Sequence, residues 1–365
     1  MHIKSVVDRI ASLNRLMFLR RLMLLTGSMS WFNEKLEPLG FLDLFNSVFR
    51  GVSQLIFINN PLAGAGIALV IIIEYPFLGA MGLFGCFLTS KLAISMGFPV
   101  KDTRNGVFGF GGALIGFALS VLAERFSTYG YDFWLFCLLI FPLSYLNTLI
   151  IKELGFPFSK KTGLPFFTLP YNFSVYFLVA LLFMIYPDVI TGGEIHFLQG
   201  SAIGLKEAVN AAFVTFGQVF FVSDLEVSIF LFLITFICSP ISAIYAMLGA
   251  AIFVIFALCI GFDNGVILSG TIGYNVVLTA LVVGAVVHII SIKSLLISMA
   301  AAIWSSIVSL SLASVLMPLG IPILTLPFCL ATMVCLFVLW KLYPGWLACV
   351  PDQYRSPEEN FYLKK

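Results

Sequence analysis

Residues 51–64, GVSQLIFINNPLAG, and residues 215–227, TFGQVFFVSDLEV, are two versions of one stretch, and a single offset of 164 residues lays the first on the second. Gln54 falls on Gln218 and Phe57 on Phe221. Further along, Pro76 falls on Pro240, Gly85 on Gly249, Gly109 on Gly273, Phe110 on Tyr274 and Leu114 on Leu278. A later pair, Thr168-Leu169-Pro170 and Thr325-Leu326-Pro327, keeps the order at an offset of 157, so the linker before it is seven residues shorter in the second copy. Polar residues kept in register within an apolar background read as a transporter or channel built from two halves around one site.

Composition sets the class. Of the 365 residues, 60% are hydrophobic and 10% charged, with a mean hydropathy of +1.05; a soluble domain has roughly 45–50% and about 25%. Many of the apolar stretches approach the roughly 20 residues that a helix needs to cross the hydrocarbon layer. The expected fold is an all-α membrane protein with about ten transmembrane helices in two homologous inverted halves. Helices are predicted near 61–74, 77–97, 106–123, 130–151 and 171–187, and again near 227–237, 241–260, 274–290, 293–317 and 326–341. Before each set lies a shorter apolar segment, 41–58 and 205–221, which suits a re-entrant pore helix. Such broken backbone is tolerated at membrane depth only where protein or a water-filled cavity satisfies it.

The chain divides accordingly into a cytoplasmic basic amphipathic segment over 1–40, a first repeat over 41–190, a linker over 191–204, a second repeat over 205–343 and a cytoplasmic tail over 344–365. Ten crossings put both termini on one side of the cell (inner) membrane. Lys4, Arg9, Arg15, Arg20 and Arg21 near the start and Lys364-Lys365 at the end assign that side to the cytoplasm. The stretch from Met1 to Thr26 has no uninterrupted apolar region followed by a cleavage site, and reads as a helix lying on the membrane surface.

What the chain lacks narrows its chemistry. Ion-coupled pumps need acidic or basic groups inside the membrane, yet the predicted crossings are almost bare. Glu74, Asp224 and Glu226 fall at turns, and Lys91 can snorkel to an interface. His288 reads as a satisfied packing residue, and the seven cysteines as small core hydrophobes without paired spacing. No metal-ligand spacing, nucleotide loop or catalytic triad occurs, so neither an enzyme nor a cofactor is expected, and no basic stripe suits nucleic acid. Passive permeation of an uncharged solute is what remains.

Gln54 and Gln218 would present equivalent amides around a pseudo-two-fold axis, able to replace the hydration of a small neutral amide without trapping it by charge. Phe57 and Phe110, with Phe221 and Tyr274, would form the aromatic walls of a slot for a planar solute, continued by Leu114 and Leu278. A hydrated ion fares badly in such a slot, because rings do not replace its water shell. Thr168 and Thr325 read as helix N-caps whose hydroxyls also face the pore. Asn172 matches a glycosylation sequon, but it sits inside an apolar segment. Gly112 and Gly116 form a small-xxx-small pair suited to close helix packing.

These residues resemble those of the urea transporter family. The likeness runs from about Phe41 to Tyr343 and rests on QLIFINNPLAG, GVFGFGGALIG, PFFTLPYN, GTIGYNVVLTA and ILTLPFCLA, in that order. It implies a urea-permeable, channel-like protein with two halves of five helices and one re-entrant helix each, assembled as a homotrimer among membrane lipids with one pore per protomer. Gln54 and Gln218 match the family's paired amide or acid positions, Phe57, Phe110 and Phe221 its aromatic slots, Thr168 and Thr325 its central threonines, and Leu114 and Leu278 its apolar liners. The absence of long extensions around the core leads to the expectation of a bacterial source.

Three departures from the family pattern bear on selectivity more than on fold. Tyr274 stands where phenylalanine is usual, and its hydroxyl is expected to alter the choice among small amides. Gly111 takes the place of an asparagine in the first GFNG-like turn. Ser223-Asp224-Leu225 replaces Asn59-Asn60-Pro61, which leaves room for a different ending of the second re-entrant segment. Two other readings stay open: a secondary active transporter or channel for another small neutral amide or ammonia, and a membrane scaffold that transports nothing.

Overall fold

The computed structural model describes residues 25–36, 40–127, 130, 133–186 and 203–363. Over these residues the chain is almost wholly helical, and its β-type pairing is an isolated antiparallel bridge between His288 and Cys349. Nearly all of the amphipathic stretch expected over 1–26 and of the linker expected over 191–204 lies outside the described residues, as do Lys364 and Lys365.

Twelve helices build the two halves. The first half has α1 (Phe41–Ser53), α2 (Pro61–Glu74), α3 (Pro76–Ser95), α4 (Gly109–Ser127), α5 (Phe133–Ile150) and α6 (Leu169–Ile185). The second has α7 (Leu205–Gly217), α8 (Leu225–Cys238), α9 (Pro240–Cys259), α10 (Tyr274–Leu281), α11 (Ile292–Leu316) and α12 (Leu326–Phe337). The bounds of α1, α2 and α3 recur 164 residues later in α7, α8 and α9 with no shift at either end. Repeated sequence has produced repeated local structure.

The local chemistry explains why. Prolines at the first turns of α2, α3 and α9 fit positions whose N–H groups have no intrahelical partner. Asn60 caps α2 by accepting from the N–H groups of Leu62 and Ala63 at 2.8 and 2.9 Å, and Asp224 caps α8 by accepting from Glu226 and Val227 at 2.9 and 3.1 Å. The sequence change from Asn60 to Asp224 therefore keeps one function, and both re-entrant segments end alike.

Each of these segments closes with a 3-10 turn, Gln54–Ile56 and Gln218–Phe220, before the chain bends by 78° into α2 and by 73° into α8. The bends are made by Phe57 and Phe221, whose φ values of 55° and 61° put bulky residues in the left-handed region. Paired backbone bonds hold them there: Phe57 N–H to Gln54 O at 3.0 Å and Ile58 N–H to Ser53 O at 3.1 Å, then Phe221 N–H to Gln218 O at 3.1 Å and Val222 N–H to Gly217 O at 3.2 Å.

Among the described residues five helices are long and apolar enough to cross a membrane outright: Pro76–Ser95, Gly109–Ser127, Phe133–Thr162, Pro240–Cys259 and Ile292–Leu319. The segments predicted near 171–187, 274–290 and 326–341 are shorter than a full span, at Leu169–Ile185, Tyr274–Val286 and Leu326–Leu342. The first and third match the predicted lengths, whereas hydropathy extends the second about four residues too far, because the apolar run continues past its end through Val287, Ile289 and Ile290. His288, placed inside a crossing by the sequence, lies just beyond that end.

Close packing fixes the first half. A Cβ on Gly112 would lie 2.1 Å from the carbonyl oxygen of Gly85, and one on Gly116 would lie 2.0 Å from that of Met81. The backbones of α3 and α4 touch there, as small residues permit. The halves then meet along elements that pair with their own copies: the turn at Gln54–Ile56 against that at Gln218–Phe220, α2 against α8, and α6 against α12.

The C-terminal residues fold back over the helix ends. The Glu358 carboxylate accepts from Ile241 N–H at 2.8 Å at the start of α9, where an acid complements the helix dipole. Glu359 accepts from the Ser28 N–H at 3.1 Å and hydroxyl at 3.0 Å.

Candidate functional site

Where the two 3-10 turns meet, a narrow cavity of about 20 Å³ is lined by Gln54, Phe57, Phe110, Leu114, Thr168, Phe221, Tyr274, Leu278 and Thr325. Nine of the ten residues singled out by the repeat thus converge on one space. Gln218 is the exception; it is buried beside the cavity but does not line it. Sequence reasoning missed four further liners, Leu55, Val219, Phe167 and Phe328. Leu55 and Val219 follow the two glutamines at matching positions, so the repeat itself carried that signal. Among the described residues no Asp, Glu, Lys, Arg or His borders the cavity.

The two amides are oriented identically. Gln54 Nε2 donates to the backbone carbonyl of Asn105 at 3.2 Å, and Gln218 Nε2 donates to that of Ser269 at 2.9 Å, the residue 164 positions later. Gln218 Nε2 donates also to Ser223 Oγ at 2.8 Å. A carbonyl oxygen can only accept, so each side chain must turn its nitrogen to the loop. The carbonyl ends are left as acceptors.

Gln54 is set by a longer chain of bonds that begins at Arg50, which the sequence reading overlooked although it is a cation within an apolar segment. Its guanidinium is fully buried and donates to Ser28 O, Met29 O, Asn59 O, Asn59 Oδ1 and Asn46 Oδ1 at 2.6–3.2 Å. Asn59 Nδ2 in turn donates to Asn105 Oδ1 at 2.8 Å and to Tyr354 O at 2.9 Å. One buried arginine therefore links the 28–29 segment, the α1–α2 bend and the loop that holds Gln54.

The central threonines occupy N-cap positions of α6 and α12, but neither hydroxyl caps its helix. This corrects the expected capping role. The hydroxyls meet across the two halves instead, Thr168 Oγ1 donating to Thr325 Oγ1 at 2.7 Å. Asn172, fully buried and so no glycosylation acceptor, donates from Nδ2 to Thr325 Oγ1 at 3.1 Å and accepts at Oδ1 from Thr325 N–H at 3.1 Å. Its repeat counterpart, 157 residues on, is Cys329, whose sulfur lies 3.1 Å from Thr168 Oγ1. Neither Asn172 nor Cys329 was predicted, because each looks like packing until the threonines are brought together.

Tyr274 Oη donates to the backbone carbonyl of Leu324, a residue held at φ 48°. The sequence left the direction of this hydroxyl open; in the structure it is committed to the backbone. Tyr274→Phe should cost about 0.5–1.5 kcal/mol, the worth of one neutral bond. Thermal unfolding in detergent measures the loss.

On the side of Gln54 the cavity opens into a vestibule of about 830 Å³ that shares Gln54, Phe57, Phe110 and Phe167. Its rim carries Lys101, Asp102, Gln353 and Tyr354, so the folded-back C-terminal segment forms part of this mouth. Tyr354 Oη donates to Asp102 there.

His288 behaves as the packing residue that the sequence suggested. It is fully buried, and Trp340 Nε1 donates to its Nε2 at 2.9 Å, which leaves Nδ1 to donate to Val283 O at 2.8 Å. Burial holds its pKa below the ordinary 6.5. The unfolded chain then takes up the proton first as pH falls, so the stability contributed by neutral His288 is complete above 6.5 and lost at lower pH. Melting curves between pH 7.5 and 5 should show this loss, and His288→Gln should flatten it. Among the described residues no group of three or more His, Cys, Asp or Glu could hold a metal.

An all-α chain of five outright spans and two bent helix pairs, closed around an uncharged central constriction, is a multi-pass membrane transport protein. The family model described as urea transporter matches residues 45–339. The chain belongs to the urea transporter family, and is a transport protein rather than an enzyme. Among curated relatives it is 25% identical to urea transporter 1 of Ovis aries, an alignment covering 93% of this chain and 89% of the relative. It is 26% identical to urea transporter 1 of Capra hircus and of Rattus norvegicus, with the same coverage.

Proposed function

We propose that the chain conducts urea passively through the cavity between its two repeats. The observation that carries this reading is the direction of the hydrogen bonds. Gln54 and Thr168 line the cavity and donate into the protein, so what they can offer a passing solute is acceptor oxygen, and Gln218 beside the cavity is oriented in the same way. Urea is flat, uncharged and rich in N–H donors. Amide and hydroxyl acceptors replace the water on those N–H groups, and Phe57, Phe110, Phe221 and Tyr274 supply apolar walls for its faces.

The absence of Asp, Glu, Lys, Arg and His among the described lining residues supports a passive mode, since none of these usual carriers of a coupling ion borders the cavity. The pairing of elements with their own copies supports inverted halves related by an axis in the membrane plane, with Gln54 and Gln218 toward opposite mouths. On this reading both termini face the cytoplasm of the cell (inner) membrane, and the protein assembles as a homotrimer with one pore in each protomer.

Stopped-flow light scattering of proteoliposomes tests the proposal. Urea flux should follow its own gradient and be unchanged by an imposed proton gradient or membrane potential. Flux that tracks the proton gradient would make the protein a secondary active transporter, and no flux of any small amide would make it a scaffold.

A further inference from the structure

Beside the aromatic slot Gly111 of α4 corresponds to Asn275 of α10, so the first half lacks a polar side chain that the second half has. In the second half Asn275 is fully used. Its Nδ2 donates to Leu324 O at 3.1 Å, and its Oδ1 accepts from Phe328 N–H at 3.1 Å. One side chain thereby ties the left-handed turn at Leu324 to the first turn of α12. The first half has the same turn, with Phe167 at φ 46° where Leu324 has 48°, but Gly111 has no side chain to hold it.

Asn147 of α5 comes from a different helix to the same place. A Cβ on Gly111 would lie 3.1 Å from its Nδ2 and 3.3 Å from its Oδ1. Asn147 is buried, and neither atom of its amide has a hydrogen-bond partner; the buried hydroxyl of Tyr171 lacks one too. Both residues border a cavity of about 10 Å³ between Phe110, Gly111, Phe167 and Thr168. That volume is about the minimum that accepts one water molecule, and two polar side chains around it supply the partners such a water needs.

We propose that Asn147 is the positioning residue of the first half, acting on the turn at Phe167 through one bound water as Asn275 acts directly on the turn at Leu324. Phe110 and Phe167 line both this small cavity and the central one, so the turn sets the width of the slot on that side. The inference rests on the reading that urea passes through the central cavity.

A double-mutant cycle over Asn147→Ala and Gly111→Asn tests it. Asn147→Ala should slow urea flux by about tenfold, the equivalent of losing one buried hydrogen-bonded link, and should change the ratio of urea to methylurea permeation. Gly111→Asn alone should also impair flux, because its side chain collides with Asn147. The double variant, which restores the arrangement of the second half, should return flux and ratio to within about twofold of the parent, a coupling expected only for groups in contact. Additive losses in the double variant, or an unchanged ratio in Asn147→Ala, would overturn the proposal. A map that resolves ordered solvent should show one water bonded to Asn147; a dry cavity would also overturn it. If the parent protein passes no urea, the transport reading fails, and non-additive melting temperatures across the same four proteins still decide whether Asn147 replaces the missing asparagine.

Discussion

Replacing Gln54 or Gln218 by alanine is expected to slow urea permeation by about 5- to 150-fold, the rate equivalent of the roughly 1–3 kcal/mol for an unreplaced hydrogen bond in a dehydrated passage. Two losses combine in each variant. The acceptor that replaces solute hydration disappears, and the loop carbonyl of Asn105 or Ser269 loses its donor. Glutamine to methionine at the same positions keeps the side-chain length and removes both bonds, so it separates chemistry from cavity. Stopped-flow measurements that show parental flux in all four variants would remove the amides from the mechanism.

Arg50→Met should have the largest effect on folding, on the order of 3–5 kcal/mol, because it strips donors from carbonyl and amide oxygens in three separate segments. Methionine follows the aliphatic path of the arginine but offers those oxygens nothing. Arg50→Lys should recover little, since an ammonium cannot reproduce the planar fork. The melting temperature in detergent should fall in both variants, and the surviving protein should carry urea more slowly because the loop at Asn105 is no longer fixed. An unchanged melting temperature in Arg50→Met would show that the network contributes nothing to stability.

Much of this site was legible in the sequence because duplication acts as an internal comparison. Gln54 with Gln218, Phe57 with Phe221 and Thr168 with Thr325 stand out because a second copy keeps each one at a fixed offset. Residues that differ between the copies were invisible to that method. Asn172 with Cys329, and Gly111 with Asn275, are such pairs, and each holds a part of the constriction. Arg50, whose counterpart is Val214, was missed for the same reason.

By itself the sequence determined the membrane class, the two repeats, the helix starts and the uncharged character of the site. Those features follow from hydropathy, proline and cap residues, which act over a few positions of chain. Only the tertiary structure decided how the polar atoms are spent. Thr168 and Thr325 have the sequence of helix caps, yet their hydroxyls bond each other because the two halves bring α6 and α12 together. The phenol of Tyr274 could have faced the solute, but Leu324 O lies within reach once its turn is folded. A buried donor takes whichever acceptor the packing places beside it, and that neighbour is fixed by contacts between residues far apart in the chain.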